Sequence, residues 1–125
     1  MKCLSLRQPY AELLVSGKKT IELRSWNTKF RGQFLIHASK KIDEEACERN
    51  AINPSTFVTG ALIGKATLYE VKLYSDAKAL SKDRAKHLAG VAITAPKYGF
   101  LVQNARKFKR PIPAIGKLGF FEVDN

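Results

Sequence analysis

The chain has 125 residues, 45% of them hydrophobic and 26% charged, with 22 Lys and Arg against 11 Asp and Glu and a formal charge of +11. Length and composition exclude a chain that is disordered throughout and predict one domain over residues 1–125, with enough apolar side chains for a real core. The charge excess points to a polyanionic partner, nucleic acid before anionic membrane, because no basic amphipathic helix stands out.

Lys2 to Leu6 alternates as a short strand, and Pro9 suits the first turn of a following helix, where its missing N–H costs nothing. Ala11, Leu13, Leu14 and Val15 give that helix its apolar content, and Gly17 ends it. Gln8 and Pro9 therefore stand at a helix N-terminus. The stretch Gly17-Lys18-Lys19-Thr20-Ile21-Glu22-Leu23-Arg24-Ser25-Trp26 then has the alternation of a strand. Thr20, Glu22 and Arg24 fall on one side, Ile21 and Leu23 on the other.

Asn27 to Gly32 is a polar connection. Gln33 to Ser39 reads as a strand with Phe34, Ile36 and Ala38 on one face and Leu35, His37 and Ser39 on the other, ended by Lys40 and Lys41. Asp43, Glu44 and Glu45 open a short helix that fades before Pro54. Gly60 to Tyr74 is a long strand, its glycines Gly60 and Gly64 suggesting a bulge or tight corner. Ser75 or Asp76 caps a helix over Ala77 to Leu88. Gly90 to Pro96 is a loop or an ill-defined strand, Tyr98 to Asn104 a strand and Ala105 to Lys107 a turn. Phe108 to Ile115 carries Pro111 and Pro113 and so reads as an edge or bulged strand. Gly116 to Gly119 turns the chain into a last strand, Phe120 to Val123. The sum is a mainly β, α+β fold: a small closed barrel of five to seven strands with two or three flanking helices.

Several side chains suit chemistry on a nucleic acid. Lys19, beside Lys18 and opposite Glu22, reads either as a general base of tuned proton affinity or as a phosphate contact. Glu22 accepts from the amino group of a base, acts as an acid/base, or clamps Arg24. Trp26 is either core or a stacking platform, the latter worth ~1–3 kcal/mol per base. His37 and Ser39 share a face, and the histidine is a ligand contact or a buried structural group. His87, on a lysine-rich helix, reads as a surface residue. Arg106, Lys107, Lys109 and Arg110 surround Phe108, and Lys117 lies in a glycine-flanked turn. Such cations suit phosphates, or guard a solvated edge strand. Cys3 and Cys47 lack metal-ligand spacing, so no zinc and no other cofactor is expected. No run approaches ~18 apolar residues, and the N-terminal apolar run is too short for a signal peptide. A cytoplasmic monomer is the expectation.

The segments Leu4-Ser5-Leu6-Arg7-Gln8-Pro9-Tyr10, Gly17 through Trp26 and Arg31-Gly32 resemble the ASCH (activating signal cointegrator homology) family. Gly60 to Gly64, Tyr98-Gly99-Phe100 and Pro111-Ile112 are similar as well. The likeness covers nearly the whole chain, and its Arg-Ser-Trp after the glutamate is that of the coactivator branch. It implies a PUA-like β-barrel, a fold associated with RNA recognition, with a cleft between barrel and first helix. Gln8, Pro9, Lys19, Glu22 and Arg24 would surround that cleft, and Trp26 would join them in some branches. Roles assigned within the family are nucleic-acid binding, ribonuclease action and hydrolysis of acetylated cytidine. In the amidohydrolase branch the catalytic lysine maps onto Lys19, but the catalytic threonine falls at Glu22. With the charge of +11, that cationic cleft points to a binder of RNA or single-stranded DNA, RNA before DNA. A hydrolase using Lys19 and Glu22 is the alternative, and a module for translation or transcription partner proteins is a third class.

Overall fold

The structure is a computed structural model and describes residues 1–124. Its strands are β1 (Lys2–Gln8), β2 (Ile21–Arg24), β3 (Gly32–Ile42), β4 (Ala61–Tyr74), β5 (Lys97–Pro113) and β6 (Phe120–Glu122). Among the described residues four short α-helices interrupt them: α1 (Tyr10–Val15), α2 (Glu44–Arg49), α3 (Ala77–Lys82) and α4 (Arg84–His87). The strands form one sheet in the order β2-β5-β4-β3-β1-β6. β1 runs parallel to β3, and the other neighbours are antiparallel.

The expected α+β, mainly β fold is present, but the closed barrel is not: the six-stranded sheet is open. Among the described residues β2 and β6, the two ends of the sheet order, share no ladder. Side chains bridge the gap instead. The Phe120 ring of β6 stacks on Phe100 at 6.0 Å and meets Trp26 edge-on at 6.0 Å, with Phe34 at 5.7 Å and Phe30 at 5.0 Å. Aromatic contacts at such offsets add to the area they bury.

Period-two alternation sorts the core. Phe34, Ile36 and Ala38 of β3 join Leu4 and Leu6 of β1 and the buried side of α1 in the main cluster. Leu35 faces the other way, with Cys3 and Leu62 under the C-terminal segment. The helix α1 lies directly on β4, because Gly64 leaves no side chain in the way. A methyl at that position would run into Val15 and the carbonyl of Arg106.

Three elements differ from the sequence expectation. β5 continues through the predicted turn at Ala105–Lys107; Asn104 takes a left-handed φ of 56°, and the β4–β5 register shifts between Lys65 and Thr67. A bulge absorbs what reads as a reversal. The predicted helix over Ala77 to Leu88 is broken at Asp83 into α3 and α4, which accounts for a fourth helix. β3 runs on to Ile42, past the lysines expected to end it. Pro111 and Pro113 do lie on an edge, since β2 pairs only with Tyr98–Leu101.

Met1 and Val123, near the two ends of the described residues, are neighbours. The Met1 amine donates to the Val123 carbonyl at 3.0 Å, and the Val123 N–H returns a bond to Met1 at 3.0 Å. Among the described residues no helix is long and apolar enough to cross a membrane.

Candidate functional site

The segment after α1 is held from two sides. The Lys19 N–H donates to the Leu13 carbonyl at 2.9 Å, and the Thr20 N–H to the Lys86 carbonyl at 3.0 Å. This tie sets α4 against the start of β2 and leaves the Lys19 side chain almost no water, at 2% exposure. Its ammonium donates to the His87 carbonyl, lies 3.2 Å from Glu22 Oε1 and stands 5.1 Å from the Tyr10 ring centroid. Strand alternation then brings Glu22 and Arg24 to the same side. Arg24 Nε donates to Glu22 Oε2 at 2.9 Å and Nη2 to the Ser5 carbonyl at 3.0 Å.

Burial dominates the proton affinity of Lys19 and holds its pKa below the ordinary lysine value; Glu22 pulls it up and Arg24 pushes it down. Desolvation penalises the charged form, so a single carboxylate only partly restores it. The cluster sits in a cavity of ≈ 310 Å³ whose wall also includes Ser5, Arg7, Tyr10 and Lys97, with Leu23, Ala89 and Ile93 as apolar lining.

A second cavity, ≈ 610 Å³, lies on the other side of Ser5 and Arg24, which line both. His37 and Ser39 belong to it, as do Lys117 and the lysines Lys40 and Lys41. His37 is 2% exposed and is pinned in place. Its Nε2–H donates to the Ala114 carbonyl at 2.8 Å, which leaves Nδ1 to accept from the Ser5 hydroxyl at 2.8 Å.

The remaining candidates lie elsewhere. Gln8 is fully buried and committed at both ends: Nε2 donates to the Val58 carbonyl at 2.8 Å and Oε1 accepts from the Glu12 N–H at 2.9 Å. It holds the start of α1 and has no free edge for a base. Pro9 is buried beside it, and Lys18 is exposed and lines neither cavity. Trp26 packs into the core, edge-on to Phe100 at 5.2 Å, and the Arg24 guanidinium stands 6.0 Å from its ring centroid. Arg106, Lys107, Lys109 and Arg110 are exposed on β5 and line neither cavity; Lys107 is paired with Glu12 at 3.0 Å.

His87 corrects the sequence expectation. It is 1% exposed rather than on the surface, because the break at Asp83 turns α4 inward. Its Nε2–H donates to the Leu80 carbonyl at 2.9 Å, and Nδ1 accepts from the Ala89 N–H at 3.0 Å. Burial, its largest influence, holds the imidazole pKa below the ordinary histidine value. Ser5, Arg7, Tyr10 and Lys97 are cavity residues that the sequence did not single out. Period-two alternation along β1 puts Ser5 and Arg7 on one side and was signal enough for those two. Lys97 reaches the cavity only through the β2–β5 pairing, which the sequence does not display.

A family model described as the ASCH domain matches residues 4–111. Activating signal cointegrator 1 of Homo sapiens is 36% identical over 80 residues, which is 54% of this chain and 14% of that protein. The Mus musculus protein of the same name matches to the same extent. The chain thus spans only a small part of the curated relatives it matches. Among solved structures, ASCH from Zymomonas mobilis superposes with a TM-score of 0.62 at 21% identity, over 90% of this chain and 72% of that one. A single-substitution variant of the same protein gives 0.65 at 22% identity, over 90% and 74%. At that identity the likeness is one of fold.

Proposed function

This chain belongs to the ASCH domain family, and from that premise we propose that it binds single-stranded nucleic acid, RNA before DNA, in the cavity around Lys19, Glu22 and Arg24. The observation that carries the proposal is a buried carboxylate set between two cations inside a hollow of ≈ 310 Å³, on a chain of charge +11. A carboxylate has up to four acceptor sites, and two are occupied here, so Glu22 can still accept from the exocyclic amino group of a base. The Tyr10 ring in the cavity wall offers a stacking face, the part that the sequence alone suggested for Trp26. Arg7 and Lys97 in the same wall supply phosphate contacts.

Labelled oligonucleotides titrated across a salt series test this. Binding should weaken with salt along a slope of about −0.7 per phosphate contact. Glu22→Ala should lower affinity for bases bearing an amino group more than for those without one. Absence of binding at low salt, or binding without a salt slope, overturns it.

The lowered proton affinity of Lys19 favours one second reading, a nucleoside-directed hydrolase in which the neutral amine is the base and Glu22 its partner. It requires turnover of N4-acetylcytidine or RNA that disappears in a folded Lys19→Ala variant. Binding without turnover by the intact protein removes it.

A further inference from the structure

The second cavity carries positive charge that nothing nearby neutralises. Lys40 and Lys41 reach it from the end of β3, and Lys117 from the loop between β5 and β6. Among the described residues none of the three pairs with an acid, and no Asp or Glu lines the cavity. In the first cavity Glu22 answers Lys19 and Arg24, and among the described residues only Arg7 and Lys97 there stand without an acid partner. Beside Lys117 stand Ile115 and Leu118, 88% and 98% exposed, apolar side chains with no core to pack into. The loop is not loosely placed: a Cβ on Gly116 would press on His37 and the Ser5 hydroxyl, so its backbone rests on that buried pair.

Uncompensated cations next to bare apolar side chains, in a hollow open to solvent, suit an anion joined to a flat apolar body. The wall shared with the first cavity is formed by Ser5 and Arg24. Arg24 uses Nε and Nη2 for Glu22 and the Ser5 carbonyl, which leaves Nη1 as a free donor. We propose that the second cavity is a subsite for the next nucleotide, so that the chain engages two successive nucleotides of a single strand. Arg24 takes the phosphate that links them, Lys40, Lys41 and Lys117 take the phosphate beyond, and Ile115 and Leu118 cover the second sugar and base. This rests on the nucleic-acid reading of the first cavity and adds to it a minimum ligand length and a set of phosphate contacts.

The test compares nucleoside monophosphates with 5′-phosphorylated di- and trinucleotides of each RNA base. The ligands are titrated into the full chain and into a Lys40→Ala/Lys41→Ala/Lys117→Ala variant, whose three sites are exposed and make no bonds in the core. In the native chain, affinity should rise at least about tenfold from mono- to dinucleotide, the effect of one charge-assisted hydrogen bond. The variant should lose that increment and bind mononucleotides within about twofold of the native chain. Its salt slope with trinucleotides should fall by about 0.7, for the one phosphate whose contacts are lost. Dinucleotides no tighter than mononucleotides, or a variant weakened equally for every length, overturns the second subsite and leaves the first intact. No binding of any oligonucleotide to the native chain overturns both.

Discussion

Glu22 divides its two oxygens between Lys19 and Arg24, and that division decides what each substitution does. Glu22→Gln leaves a buried ammonium facing only neutral acceptors, the His87 carbonyl and the new amide oxygen, at a cost of about 3 kcal/mol, the usual penalty for breaking a buried pair from one side. Lys19→Met keeps the stem, removes the charge and leaves Glu22 bonded to Arg24, so it should cost less. Urea unfolding of the two variants checks the order; equal losses would mean that the pair itself, not the stranded amine, sets the stability. The side on which Glu22 and Arg24 lie was legible, because a strand alternates strictly. The burial of Lys19 was not, since it depends on α4, which comes from more than sixty residues further along the chain.

Among the elements, the broken α3–α4 pair has the clearest thermodynamic consequence. Asp83 receives the Tyr74 hydroxyl at 2.5 Å and the Lys72 ammonium at 3.0 Å, and this anchorage coincides with the break that turns His87 inward. Burial, helped by Lys19 and Arg84, lowers the pKa of that imidazole against the opposing pull of the Leu80 carbonyl and Asp83. Above the ordinary histidine pKa of about 6.5 the group is neutral in both folded and unfolded chains. As the pH falls below it the unfolded chain takes up a proton that the folded one refuses, so stability declines until the lowered native pKa is reached. Thermal unfolding between about pH 7.5 and pH 5 should show this slope, and His87→Gln should flatten it; an unchanged slope would assign the effect to other groups. The sequence showed a helix rich in Ala, Lys and Leu here but not its break, because the partners of Asp83 belong to β4. The turn foreseen at Ala105–Lys107 failed for a related reason. Small and cationic residues in a row resemble a reversal, yet pairing with β4 keeps the strand extended and Asn104 takes up the extra residue.

At the scale of the whole molecule the sheet stays open between β2 and β6, and rings rather than a ladder pack across the gap. Phe120→Ala should therefore cost about 3 kcal/mol, as large-to-small changes at packed aromatics do, and should loosen both edges of the sheet. Denaturant unfolding gives the cost, and hydrogen exchange should quicken in β2 and β6 together; a change confined to β6 would show that Phe120 packs without bridging. The α+β, mainly β class was readable from alternation, glycine and proline. Which cations gather at the cavities was not: Arg106 to Arg110 are densest in sequence but lie apart, while the Lys40–Lys41 pair and Lys97 arrive on strands set by long-range pairing. Net charge is a property of composition, whereas its placement is a property of topology.

The mutual bonds of Met1 and Val123 bring the start and the far end of the described residues together at one point. A unit attached through a single such point behaves as a pendant: it can be spliced into an exposed loop of a host protein without stretching the host apart. The same arrangement suits circular permutation, with a few glycines joining the old ends and new ones opened in the exposed stretch from Asn53 to Thr56. No residue from Asn53 to Thr56 lines either cavity.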